Sequence, residues 1–471
     1  NMDRLAERGV RFEECYTPSP LCGPARASVI SGVYPHNTHV HSNGGILPRD
    51  DESLFGTLRD AGYYTALVGD AEYGQPGVED HLGENEEYLH ARGFEYVHET
   101  PGAWGAGNSK SYFSDYLEEK GLWAEFSEDY DRRMAESGHW ASVVPFEDHP
   151  DSYIRRQAVE FVEEYDRERP FCLQVGFNGP HDPMDPPERM LDRYDPADLD
   201  GPEPSLANPD WVPDRARAFM EQGALVGPED SWWRPKMSPE ATREWRSYYY
   251  GKVSLVDYWL GELLDALEAR GELENTLVVY TSDHGEMAGD KGMLTKHVFF
   301  DQSVRVPCIV SWPEQFAAGA ATDALVSLLD LYPTFLDVAA AGEGRTFGAS
   351  LAPVLDDPAR SHREAVFSFV HGFASRSEPY DYKTMVATAD HKYCVDSWGE
   401  GYMLFDRTDD PGETTNYLGH PDYEDAERAL RDRLLRFFQT TGTQFHRRGQ
   451  PIEIQDAHPL PGYEDGTGPD L

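Results

Sequence analysis

Over roughly the first 340 residues the apolar positions switch between two spacings. Residues 154, 158, 161, 162 and 165 fall on one face at helical spacing, which predicts a helix over Ser152–Arg167. Tyr249, Val253, Val256, Leu260, Leu263 and Leu267 do the same over Tyr248–Ala269, with Gly271 closing the segment. Between such stretches lie short apolar runs that read as buried strands: Val10–Tyr16, Tyr63–Gly69, Phe171–Phe177, Leu277–Ser282 and Val306–Trp312. Shorter helices are predicted at Met2–Arg8, Glu52–Ala61 and Leu328–Ala341, each followed by a glycine. Helix and strand in alternation predict an α/β fold, a mostly parallel sheet flanked by helices on both faces.

Two stretches break the rhythm. Glu72–Ser152 and Asp182–Thr242 are rich in Pro, Gly, Trp and Tyr without a clear period, and read as long insertions over the sheet edge, where ligands are commonly met. From His362 the pattern turns to short strands at Glu364–Val370, Thr384–Ala389, Lys392–Asp396 and Tyr402–Asp406, then a helix over Asp425–Thr440. This predicts a smaller C-terminal antiparallel-sheet α+β subdomain over 361–440, after a catalytic domain over 1–360. A Pro/Gly/Asp-rich surface tail follows over 441–471.

Charge narrows the class of partner. There are 41 basic and 85 acidic residues, a net charge of −44, and only eight of the basic residues are lysine. Such a surface repels nucleic acid and anionic membranes, and no apolar run reaches the length of a membrane helix. The acidic excess is dispersed along the chain, a pattern expected of a halophilic, salt-adapted acidic protein. Five cysteines at 15, 22, 172, 308 and 394 give no disulfide framework, and Cys172 and Cys308 sit in core-like runs.

One of those cysteines stands apart. In Leu21-Cys22-Gly23-Pro24-Ala25-Arg26-Ala27-Ser28, Cys22 falls at a helix start, with Pro24 in the first turn and Gly32 as the stop. The helix dipole and free N–H groups there favour an anionic nucleophile, and Arg26 reaches back from one turn on. A helix-start cysteine is equally a small core residue, so the motif does not decide alone. Three others follow. Thr281-Ser282-Asp283-His284-Gly285-Glu286 leaves a strand's carboxyl end, where an adjacent carboxylate and imidazole suit a divalent cation, although an Asp-His-Gly turn is the bland alternative. Lys296 lies thirteen residues after Asp283, in a chain poor in lysine. Pro180-His181-Asp182-Pro183 follows the strand ending at Phe177, and histidine suits acid work near neutral pH.

The order Cys-x-Pro-x-Arg, His181, Asp283-His284, Lys296 resembles the formylglycine-dependent sulfatases of the alkaline phosphatase superfamily. The C-terminal run Tyr402-Met403-Leu404-Phe405-Asp406 with Asp410-Pro411-Gly412-Glu413 resembles the same family's C-terminal subdomain. The resemblance implies that Cys22 is oxidised to formylglycine by a formylglycine-generating enzyme. It places a divalent metal, Ca²⁺ or else Mg²⁺ or Mn²⁺, on residue 22, Asp283 and His284. It further implies that Arg26 and Lys296 carry charge stabilisation, that His181 protonates the leaving group, and that the substrate is a small-molecule or saccharide sulfate ester. Two departures qualify it. The family's paired aspartates lie before the helix with which this chain opens, and are expected upstream of Asn1; a non-catalytic relative is the alternative. Many members carry Gly-Lys-x-His where this chain has Gly69-Asp70-Ala71-Glu72. That absence is shared with phosphonate and phosphate ester hydrolases on the same scaffold, which place an amide near Asn43. His36, His39 and His41 in the same loop read as surface histidines.

Overall fold

In the computed structural model of this chain, residues 1–442 are described except 39, 49–51, 74–80, 137, 221–236 and 372–381, and beyond 442 only the strand pair at 446–447 and 450–451. Most of the tail expected at 441–471 therefore lies outside the described residues. Tyr64–Gly69 is the centre of a parallel sheet, with Tyr96–Glu99 on one side and Phe171–Gly176 on the other. All six of its residues are buried, as a strand covered on both faces requires.

Its side chains alternate between two helical layers. Tyr64 and Ala66 pack with Phe161, Val162, Leu260 and Leu264 from the helices Pro150–Glu164 and Pro239–Ala269. Leu67 packs on the other face with Ile30, Leu54, Leu58 and Leu336 from Cys22–Ser31, Leu54–Asp60 and Leu331–Val338. A second sheet runs Val278–Thr281, Cys308–Ser311, Val10–Phe12, Ala320–Thr322. Antiparallel pairing enters it where Cys308–Ser311 opposes both neighbours; Val10–Phe12 and Ala320–Thr322 are parallel. Among the described residues no helix is long and apolar enough to cross a membrane.

The differences from expectation are local. Val10–Tyr16 is two strands, Val10–Phe12 and Cys15–Tyr16: the ladder of the second sheet ends after Phe12, and Cys15–Tyr16 pairs instead with Val326–Ser327. The helix expected from Tyr248 begins at Pro239: Ser238 accepts a hydrogen bond from the Ala241 amide and proline takes the first helical position. Leu328–Ala341 divides into a 3₁₀ turn, Leu328–Asp330, and the helix Leu331–Val338. The first supposed insertion contains the helices Tyr112–Glu119 and Trp123–Glu136, the former opened by a Ser111/Ser114 capping box, with Phe113, Leu117 and Phe126 in a small core of their own.

The C-terminal strands fall at Val366–His371, Tyr382–Ala387, His391–Val395 and Gly401–Asp406, antiparallel in that order, with Glu424–Gly442 packed on them. Val366, Met385, Tyr393, Met403 and Phe405 share a core with Tyr16, Phe299, Phe300 and Val304. At this junction the fully buried Lys392 donates to Phe299 O at 3.0 Å and contacts the carboxylates of Asp301 and Glu413, while the Asp301 amide donates to Glu413 Oε2 at 2.8 Å. The five cysteines form no disulfide.

Candidate active site

Cys22 is the first residue of the helix Cys22–Ser31, which ends at Gly32 with φ +72°. The residue before it, Leu21, is extended and offers no capping side chain, so the helix's positive end falls at Cys22. The Gly23 amide donates to Asn43 Oδ1 at 3.1 Å, and a Cβ at Gly23 would stand 3.1 Å from the Asn43 backbone, a tight contact that glycine avoids. Asn43 thereby sits beside the helix start. The Cys22 Sγ, 3% exposed, lies 3.1 Å from His284 Nε2.

Asp283 and His284 emerge just after the strand Val278–Thr281, as expected. His284 Nδ1 donates to Gly285 O at 2.8 Å, which turns the Nε2 lone pair toward Cys22. Burial holds the imidazole below its usual range, so it is neutral and able to ligate. Burial alone would raise the Asp283 carboxyl, but His284, Arg26 and Lys296 together hold it well below the carboxylate range. One ligand atom from each of Cys22, Asp283 and His284 lies within 4.8 Å of the others. A carboxylate, a neutral imidazole and the residue-22 side chain are a donor set that fits a divalent cation.

Arg26 bridges two acids. Its Nε donates to Asp283 Oδ2 at 2.8 Å and its Nη1 to Asp70 Oδ2 at 2.6 Å. Lys296 comes from the other side, between Thr295 and His297, whose φ values of +68° and +77° are left-handed. For the β-branched Thr295 that is an outlier, the kind of strain that clusters at functional sites. Glu286 holds this turn by accepting from the Ala288 amide at 3.1 Å and from the Thr295 amide. Lys296 Nζ lies 2.8 Å from His181 Nε2, and His181 Nδ1 donates to Asp182 O at 2.7 Å, so Nε2 accepts from the ammonium. Burial would raise the Cys22 thiol, but Lys296 and a hydrogen bond to His181 bring it below its ordinary value. Burial would lower Lys296, but Cys22, Asp182 and Glu286 outweigh it and keep the ammonium charged.

A nucleophile position, two cations, an imidazole and a metal-capable carboxylate–imidazole pair thus meet at the carboxyl end of the sheet. The profile of the Sulfatase family matches residues 1–341, well over half the chain. The chain belongs to the sulfatase family. A second profile, N-sulphoglucosamine sulphohydrolase, C-terminal, matches residues 289–440. The sulfatase is 26% identical to an N-acetylglucosamine-6-O-sulfatase of Bacteroides thetaiotaomicron, covering 91% of this chain and 80% of that one. It is 30% identical to a choline-sulfatase of Rhizobium meliloti, covering 89% of this chain and 78% of the other. In fold it matches the phosphonate monoester hydrolase of Agrobacterium radiobacter with a TM-score of 0.75 at 24% identity, covering 93% of this chain and 90% of that one. It is a sulfuric ester hydrolase, in a family that generally works with a metal and a formylglycine.

The sulfatase brings Cys22, Arg26, His181, Asp283, His284 and Lys296 to one place, with Asn43 joined through Gly23. Of the acids read as departures, Asp70 takes up Arg26, and Glu72 stands at φ +44°, its carboxyl pushed well up by burial and by Cys22. His36 is not a surface histidine. Its ring packs against Tyr34, Phe369 and Phe437, and burial lowers it to about 4. His41 packs edge-on against Tyr382, and position 39 lies outside the described residues. Sequence reasoning missed Trp104, which stands edge-on to His181 with its indole N–H on Asp182 Oδ2 at 2.9 Å. It also missed Lys252, whose only signal is that it is one of the chain's eight lysines.

Proposed function

We propose that this sulfatase hydrolyses the sulfate ester of a small alcohol or saccharide with a formylglycine made from Cys22 by a formylglycine-generating enzyme. The observation that carries it is the convergence on Cys22 of Arg26, Lys296, His181 and His284 at a helix start. Hydrated formylglycine offers two hydroxyls where the thiol offers one. One hydroxyl gives its proton to His181 Nε2 as its oxygen bonds sulfur and the bond from sulfur to the alcohol oxygen breaks. His181 delivers the proton that the leaving oxygen takes, and Lys296 meets the charge that develops there. The second hydroxyl then gives up its proton as the carbonyl re-forms, the bond from carbon to the sulfate oxygen breaks, and sulfate leaves. Residue 22, Asp283 and His284 would hold a divalent cation, calcium or else magnesium or manganese, which when bound supplies Lewis-acid stabilisation of oxygen charge. Arg26 orients Asp283 and adds positive charge beside the nucleophile.

A saccharide leaving group is supported by Trp104, 44% exposed beside His181, whose face suits stacking, and by the relative named for N-acetylglucosamine 6-O-sulfate. Tandem mass spectrometry of the tryptic peptide Phe12–Arg26, from protein made in a maturation-competent host, tests the nucleophile. An aldehyde at 22 with an intact thiol at Cys15 is expected; two thiols overturn the proposal. Because Asp70 and Glu72 stand where many relatives carry cations, sulfate, phosphate and phosphonate esters belong in the same assay. Preference for a phosphonate would move the assignment to that chemistry.

A further inference from the structure

Beneath His181 lies a buried ammonium that touches none of the reacting groups. Lys252, in the helix Pro239–Ala269, is 2% exposed. Its Nζ donates to His181 O at 2.7 Å, to Pro183 O at 2.9 Å and to Asp185 Oδ1 at 2.9 Å, which uses all three of its N–H bonds. The same loop is gripped elsewhere by buried charge. Arg133 reaches Met184 O at 3.4 Å, and Asp151 Oδ1 accepts from the amides of Asn178 at 2.7 Å and Gly179 at 3.1 Å. His149 stands 3.7 Å from both Asp151 and Asp185.

Burying a lysine is expensive, and apolar Leu255, Val256 and Trp259 fill the helix just beyond it. Packing alone would be served better by a leucine. The loop 178–185 is rich in proline and leaves its carbonyls without helix or strand partners, and Lys252 satisfies two of them on either side of Asp182. The ring of His181 follows from its backbone, since its Nδ1 is tied to the very next carbonyl.

We infer that Lys252, held by Asp185, is a positioning residue for the proton donor: it fixes the carbonyl of His181 and thereby the aim of the imidazole at the leaving oxygen. This rests on His181 being the donor. Proton transfer tolerates little displacement, and an error near 1 Å costs about 10²-fold.

Leaving groups of different acidity separate this role from a merely structural one. A nitrophenolate leaves without a proton, whereas an alkyl or sugar alkoxide needs one. Lys252→Met should lower kcat on an alkyl or sugar sulfate by about 10²-fold, and on 4-nitrophenyl sulfate by less than roughly fivefold. Lys252→Arg, which keeps the charge and the donors, should recover most of the alkyl-ester rate. An equal loss on both substrates overturns the inference. If the Met variant does not fold by circular dichroism and thermal melting, Asp185→Asn carries the same comparison, because it takes the counter-charge away from Lys252. His181→Ala is the control. If it loses both substrates equally, the donor reading itself fails and the inference falls with it. If it discriminates and the Lys252 variants do not, only the inference fails.

Discussion

Arg26→Lys is a small change that the site should not tolerate. The guanidinium meets Asp283 through Nε at 2.8 Å and Asp70 through Nη1 at 2.6 Å, from two nitrogens in a fixed plane. A lysine brings one nitrogen and can serve only one of the two acids well. The other buried carboxylate loses a charge-assisted hydrogen bond worth about 1.5–3 kcal/mol. If Asp283 must be held in place for the transition state, that is a loss of about 10- to 150-fold in kcat/KM at 1.36 kcal/mol per decade. Asp70→Asn weakens the same bridge from its far end and should lose a similar factor, while the double variant should lose little more than either alone. Steady-state turnover of 4-nitrophenyl sulfate by the matured enzyme, with thermal melts to confirm folding, gives all three values. Retention within threefold in Arg26→Lys, or losses that multiply in the double variant, would refute the bridge as a functional unit.

Lys296→Ala removes the buried cation shared by Cys22 and His181 and is expected to lower kcat by about 10²- to 10³-fold, the usual effect of one preorganised charge; a loss under tenfold would mean the site is misplaced. Asp330, fully buried against Arg363 and His362, has its carboxyl held down at about 2 from 3.8: burial would raise it, but Arg363 outweighs that. Since the folded value is the lower one, its contribution of about 2 kcal/mol is present above pH 3.8 and is lost as pH falls toward 2. Asp330→Asn should therefore abolish that part of the acid dependence in chemical unfolding followed from pH 2 to 5, and leave Arg363 unpaired at a cost of about 3–5 kcal/mol at neutral pH. The dispersed charge of −44 is expected to raise the denaturant midpoint as KCl goes from dilute to molar, and a falling midpoint would refute salt adaptation.

Much of the site was legible because its residues lie on strongly patterned elements. Cys22 and Arg26 share one helical turn marked by Pro24 and Gly32, and Asp283-His284 follows an apolar strand. The fold class followed from apolar runs at Tyr63–Gly69 and Phe171–Phe177, which burial on both faces makes continuous. What escaped notice depends on contacts across long separations. Nothing local pairs Asp70 with Arg26, or Lys252 with a carbonyl 71 residues earlier. Helices in the aromatic stretch were missed because their apolar faces are short and interrupted by acids, as in Trp123–Glu136. The helix Pro239–Ala269 was cut short because its first turns, Glu240 to Arg246, look like loop until Ser238-Pro239 is recognised as a start.

The buried contact of Lys392 with Asp301 and Glu413 bears on how such a gene can be rearranged. Asp301 begins a short helix five residues beyond Lys296, so the antiparallel sheet grips the segment that carries this lysine. The second family profile begins at residue 289, ahead of Lys296 and far ahead of the first strand of that sheet. A recombination breakpoint near 360 would part Asp301 from Lys392 and Glu413 and leave its carboxylate without that lysine at an apolar junction. The heritable module is therefore larger than the sheet: a C-terminal half travels intact only if it brings its own lysine loop with it.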